Sequence, residues 1–213
     1  FDWSGGQPGW AAEAAVPLAA DPWPGAVPGD VDGDGFDDVA YYDPAKRSWW
    51  ILRGSTAGFA TAAIDTRAGP DSDASRAVSA DLDGDGARDM LVPQGGFWHW
   101  LRRAPSGGYA YSSTGLPESG MPGVPLAADV DGDGRDDLVY RSPGGDALRW
   151  RRSLASATTP LLAAEATLWT APTGMLMATR PFVQHAQRHR SAHRSADVNG
   201  DGREDLLVLT LPA

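Results

Sequence analysis

Four short stretches of this chain space carboxylates in a way that suits a divalent cation. They are Asp30-Val-Asp-Gly-Asp-Gly-Phe-Asp-Asp38, Asp81-Leu-Asp-Gly-Asp-Gly-Ala-Arg-Asp89, Asp129-Val-Asp-Gly-Asp-Gly-Arg-Asp-Asp137 and Asp197-Val-Asn-Gly-Asp-Gly-Arg-Glu-Asp205. Side-chain oxygens recur at loop positions 1, 3, 5 and 9, which is the hard-oxygen set that calcium takes. They belong to Asp30, Asp32, Asp34 and Asp38; to Asp81, Asp83, Asp85 and Asp89; to Asp129, Asp131, Asp133 and Asp137; and to Asp197, Asn199, Asp201 and Asp205. Gly at position 6 permits the positive φ that turns the backbone around an ion. The backbone carbonyl of position 7 (Phe36, Ala87, Arg135 and Arg203) then becomes a further ligand. Four Ca2+ sites are expected, in a structural role.

The elements around the loops decide which calcium motif this is. A helix-loop-helix site needs a bidentate Glu at position 12. Here that position holds Tyr41, Val92, Tyr140 and Val208. The residues that follow, Val39-Ala-Tyr-Tyr42, Met90-Leu-Val92, Leu138-Val-Tyr140 and Leu206-Leu-Val-Leu209, are short apolar runs of strand type. Short extended stretches precede the loops as well. Each loop therefore joins two strands.

Asp-x-Asp-x-Asp-Gly-x-x-Asp between two strands resembles the FG-GAP or VCBS repeat, the blade unit of integrin-α-type β-propellers. The run Val27-Pro-Gly-Asp-Val-Asp-Gly-Asp-Gly-Phe-Asp-Asp-Val-Ala-Tyr41 is similar to the bacterial form of that repeat. The resemblance implies an all-β propeller with calcium in its A–B loops. It implies no particular activity, because such propellers serve as lectins, adhesion modules and enzyme scaffolds.

Composition fits an extracellular, bacterial binding module better than a nucleic-acid partner. The formal charge is −10, and 15 of the 28 acidic residues are ligands in the four loops. Four bound Ca2+ would bring the charge to −2, and the basic footprint of a nucleic-acid binder is missing. There is no cysteine, so no disulfide, and no apolar run long enough to span a membrane. Phe1 reads as the start of a mature or trimmed chain, secreted or attached to a cell surface.

Loop starts at 30, 81, 129 and 197 give a period near 50 residues, which suits a four-stranded blade. One domain over 1–213 is expected, with blade 1 at about 26–66, blade 2 at about 75–115 and blade 3 at about 122–170. Blade 4 combines 193–213 with strands supplied by 1–16, which closes a four-bladed ring and leaves no free sheet edge. The competing reading lets those N-terminal strands complete a neighbouring molecule, giving a swapped oligomer or filament rather than a monomer.

Three features lie outside the repeat. The insert at about 171–192, with the residues just after it, carries His185, Arg188, His189, Arg190 and His193. Its histidines, four apart, could ligate a transition metal on a helix, its arginines could meet an anionic ligand, or the whole could be a solvated loop. Trp23 sits in the rigid Asp21-Pro-Trp-Pro-Gly25, where a ring could stack on a sugar or pack locally. His99 alternates with Trp98 and Trp100 and so faces the opposite side of its strand, as an exposed group more readily than as a catalytic base. No nucleophile elbow or phosphate-binding fingerprint occurs. The expected function is a binding or adhesion module with a glycan or other cell-surface ligand. An enzyme using His185, His189 and His99 on the same scaffold is the alternative, and a strand-exchanging structural subunit is the third.

Overall fold

Each loop is flanked by strands whose apolar residues decide how the sheets stack. The computed structural model describes residues 26–63, 74–104, 108–154, 161–177 and 210–212. The first sheet holds β1 (Val27–Gly29), β2 (Asp38–Asp43), β3 (Ser48–Arg53) and β4 (Ala60–Ala63) in that order. The second repeats it with β5 (Val78–Ala80), β6 (Asp89–Gln94), β7 (Phe97–Arg103) and β8 (Tyr109–Pro117). In the third, β9 (Leu126–Ala128), β10 (Asp137–Arg141) and β11 (Ala147–Arg151) are followed by β12 (Ser153–Leu154) and β13 (Leu161–Leu162). That small hairpin comes before β14 (Ala166–Thr170), which takes the outer place beside β11. All these pairings are antiparallel.

The turns follow from their residues. Gly95 and Gly96 have φ of 60° and 85°, the double positive φ that a two-residue hairpin needs to match the twist of β6 and β7. Between β2 and β3 the Asp43 carboxylate accepts the amides of Ala45 and Lys46 at 2.9 and 3.1 Å, which pins a longer turn.

Sheet faces meet in two apolar seams. Val27, Ala40, Trp49 and Ile51 of the first sheet pack with Met90, Val92 and Leu101 of the second. On the other side of the second sheet, Val78, Leu91, Trp98 and Trp100 pack with Ala127, Leu138 and Tyr140 of the third. The second sheet is thus covered on both faces, which is why Met90-Leu91-Val92 is apolar without alternation and wholly buried. The first strands β1, β5 and β9 lie beside one another in succession, so each sheet presents the same edge to its neighbour.

Two further strands, β15 (Met175–Met177) and β16 (Thr210–Pro212), pair antiparallel. The start of the expected insert is therefore a strand held against the last strand of the chain. Among the described residues no helix is long and apolar enough to cross a membrane.

Candidate metal centres

The three described loops lie between β1 and β2, β5 and β6, and β9 and β10. In each, the glycines at positions 4 and 6 have positive φ: 73° and 97° at Gly33 and Gly35, 79° and 86° at Gly84 and Gly86, and 79° and 86° at Gly132 and Gly134. This coil turns backbone amides inward, and the first carboxylate collects them. Asp30 accepts Asp34 and Gly35 at 3.0 Å each. Asp81 accepts Gly84 and Gly86 at 2.8 and 3.0 Å, and Asp129 accepts Gly132, Asp133 and Gly134 at 2.8 to 3.0 Å. The fifth carboxylate accepts the amide of residue 7, as from Phe36 to Asp34 at 2.9 Å, Ala87 to Asp85 at 2.8 Å and Arg135 to Asp133 at 3.0 Å.

The ninth carboxylate acts as a bracket. Asp38 accepts Val31 and Asp32 amides at 2.9 and 3.1 Å and, through its other oxygen, the Gly54 amide beyond β3 at 2.9 Å. Asp137 does the same with Val130 at 3.3 Å and Ser153 at 2.9 Å, and Asp89 accepts Leu82 at 3.3 Å. Asp38, Asp89 and Asp137 are nearly solvent-free. Burial, reinforced by neighbouring carboxylates, pushes Asp38 and Asp81 up to about 6 and Asp137 up to about 7, and holds Asp89 well above the usual carboxylate range. Asp83 is also raised, by burial and by Asp85.

Carboxylate oxygens converge in three places: Asp30, Asp32 and Asp38; Asp81, Asp83 and Asp85; and Asp129, Asp131 and Asp137, each set within 4.8 Å. Asp34, Asp89 and Asp133 stand outside these triads in their loops. Asp133 instead pairs with the Arg135 guanidinium. The donor chemistry fits a hard divalent cation: the side-chain donors are all oxygen, the carboxylates repel one another, and Asp131 Oδ1 is buried with no hydrogen-bond partner. Bound there, such a cation would supply the positive charge that these clusters lack. The fourth loop, with Asp197, Asn199, Asp201, Arg203 and Asp205, lies outside the described residues.

Two sets of residues at these loops carry no mark in the acidic motif. The first is an arginine within one residue of the end of the third strand of each sheet. Arg53 meets Asp32 at 3.3 Å, Arg102 meets Asp83 at 3.5 Å and Arg152 meets Asp131 at 3.3 Å, always on the carboxylate at position 3. A basic residue closing each third strand is the signal that could have found them. The second set joins one loop to the next. Arg88 donates its side chain to Asp136, and Asp136 also accepts the Asp81 amide at 2.9 Å.

His99 lies on the face away from Trp98 and Trp100, as alternation requires. Its ring stacks on Tyr111 with centroids 4.9 Å apart and 7° between planes, and its Nδ1 is 3.2 Å from the Phe97 carbonyl oxygen. Trp23, His185, Arg188, His189, Arg190 and His193 lie outside the described residues.

Comparison with curated proteins finds no match. The FG-GAP-like repeat matches residues 30–92 and 81–140, each interval running from one acidic loop into the second strand of the following sheet. Together the two matches cover 111 of the 213 residues, taking in the three described loops, the second sheet and parts of the first and third. The chain belongs to the FG-GAP-like repeat family.

Proposed function

We propose that this protein is a calcium-stabilised β-propeller that works as an extracellular binding or adhesion module. The observation that carries the reading is the repeated convergence of three carboxylates in each described loop, with several of them buried. Carboxylates held this close in a low-dielectric setting are stable as anions only when a cation balances them.

We assign one calcium ion to each of the loops at 30–38, 81–89, 129–137 and 197–205. Their blades are 26–66, 75–115 and 122–170, with 193–213 completed by 1–16, and 171–192 an insert. Support for a ring comes from the succession β1, β5, β9 along one edge and from the sheet-to-sheet bonds that recur with the same offset. Carbohydrate is the ligand class we assign, through Trp23 in its proline-flanked loop, with Arg188 and Arg190 as a second contact surface.

Isothermal titration of chelator-treated protein with CaCl2 tests the metal assignment, which fails if no heat of binding is seen. A glycan array run in calcium tests the ligand class. Calcium binding without any glycan binder would leave the module and remove the lectin reading.

A further inference from the structure

The carboxylate at position 3 treats its two oxygens differently in every described loop. One oxygen, Oδ2, faces an arginine: Arg53 Nε at 3.3 Å from Asp32, Arg102 Nη1 at 3.5 Å from Asp83, and Arg152 Nη1 at 3.3 Å from Asp131. The other, Oδ1, is turned to the loop backbone. It accepts the Asp34 amide at 3.2 Å in the first loop and the Asp85 amide at 3.3 Å in the second. In the third, Asp131 Oδ1 is buried without a hydrogen-bond partner.

The arginines occupy one repeat position. Gly54 and Ser153 both donate their amides to Oδ1 of the ninth carboxylate, at 2.9 Å each, which makes Arg53 and Arg152 equivalent. Register gives the same answer in the second sheet: Val39 faces Leu52, Met90 faces Leu101 and Leu138 faces Arg151, and the next residue is Arg53, Arg102 and Arg152 in turn. The pairing of this one position with the third carboxylate recurs in all three described sheets.

We propose that Arg53, Arg102 and Arg152 are the positioning residues of the three cation sites, each fixing the third carboxylate so that its Oδ1 stays presented to the loop interior. The proposal rests on the calcium reading. An outer partner that locks a ligand's free atom lowers the freedom lost on metal binding and sets its direction. The guanidinium charge opposes this by repelling a cation. Arg53 and Arg152 are 47% and 50% exposed, so water screens that repulsion, and orientation outweighs it. Arg102 is 15% exposed and lies over the Trp100 ring with its guanidinium carbon 5.0 Å from the centroid, which makes it the most rigidly held of the three.

The test is calcium titration of the full chain, by calorimetry and by Tb3+ luminescence, for wild type, Arg152→Ala, Arg152→Lys and Arg53→Ala. Each alanine variant is expected to weaken one site about tenfold, with Arg152→Lys recovering most of the loss. The calcium-free melting temperature should hardly move, because an exposed ion pair adds little stability. Alanine variants that bind as tightly as wild type, or more tightly, would overturn the positioning role and leave the calcium sites standing. A wild-type chain that takes up neither Ca2+ nor Tb3+ would overturn both.

Discussion

The backbone N–H of Arg88 donates to the carbonyl oxygen of Asp30 at 2.7 Å, and one sheet further on Asp136 donates to Asp81 at 2.8 Å. In both pairs, position 8 of one loop binds position 1 of the loop before. Side chains follow the same rule. Ala87 and Arg135, both at position 7, lie where a Cβ on Gly33 or Gly84, both at position 4, would meet them at 3.3 and 3.0 Å. The three described loops are therefore nested, the second seated on the first and the third on the second, and the nest ties sheets together where the apolar seams do not reach.

Gly84→Ala probes that nest. The new methyl would sit at φ of +79° and 3.0 Å from Arg135 Cγ, so it adds backbone strain to a crowded joint. A loss of about 1–2 kcal/mol in denaturant unfolding is expected. Gly58→Ala is the comparison: it has φ of +106° and nothing within 4 Å, so it should show the strain without the crowding. Equal losses at both positions would argue against a packed joint.

Arg76 offers a test of the connection between the second and third sheets. It donates to the Gly123 and Met121 carbonyl oxygens at 3.0 and 3.2 Å and to Glu118 at 3.0 Å, while lying over Trp98 with its guanidinium carbon 5.0 Å from the ring centroid. Replacement by alanine leaves those acceptors unpaired and is expected to cost about 2–3 kcal/mol. Lysine should not restore it, since one ammonium cannot span three acceptors. Full recovery in Arg76→Lys would mean that charge alone matters there.

The strands and the loops were not equally legible. β2, β6 and β10 take in the apolar runs Val39–Tyr42, Met90–Val92 and Leu138–Tyr140 that mark them in the sequence. The β12–β13 pair had no signal, because two residues carry no period. In the loops, the acidic motif marked the carboxylates at positions 1, 3 and 9 that converge in the first and third repeats. It could not reveal that Asp85 would replace Asp89 in the second triad. It also gave no reason for glycine at position 4, since in two described loops that reason is a side chain some 50 residues away. The arginine partners were hidden because they stand on the third strand or just past it, outside the nine-residue motif.

Calcium is expected to raise the melting temperature. At a free concentration a hundred times its Kd, each site contributes about 2.7 kcal/mol. For a domain of this size that is roughly 5–10 °C per site. EGTA should reverse the shift, as followed by differential scanning calorimetry. Superimposable melts with calcium and with EGTA would remove the structural role assigned to the ion.

The pH dependence should differ in sign with and without the ion. In the calcium-free chain Asp38 and Asp81 are raised to about 6 and Asp137 to about 7, all chiefly by burial. The folded state then holds protons that the unfolded chain releases near pH 4. That contribution is complete below the unfolded value and is lost as pH rises through 6 to 7. Calcium needs the deprotonated ligands, so its stabilisation grows over the same window. Melting temperatures in EGTA should fall from pH 5 to 8, and the gap between calcium and EGTA curves should widen. A gap that stays constant across the window would contradict the assignment.

Because each loop is seated on the one before, the chain can change length only in certain places. Successive loops begin 51, 48 and 68 residues apart, yet both described joints use the same offsets from position 8 to 1 and from 7 to 4. One residue added inside a nine-residue loop would shift every partner in two joints at once. Residues added between the outer strand of one sheet and the first strand of the next leave those offsets untouched. For engineering, a peptide tag or guest domain belongs in that return segment, where the repeat already varies in length, and not in the acidic turns.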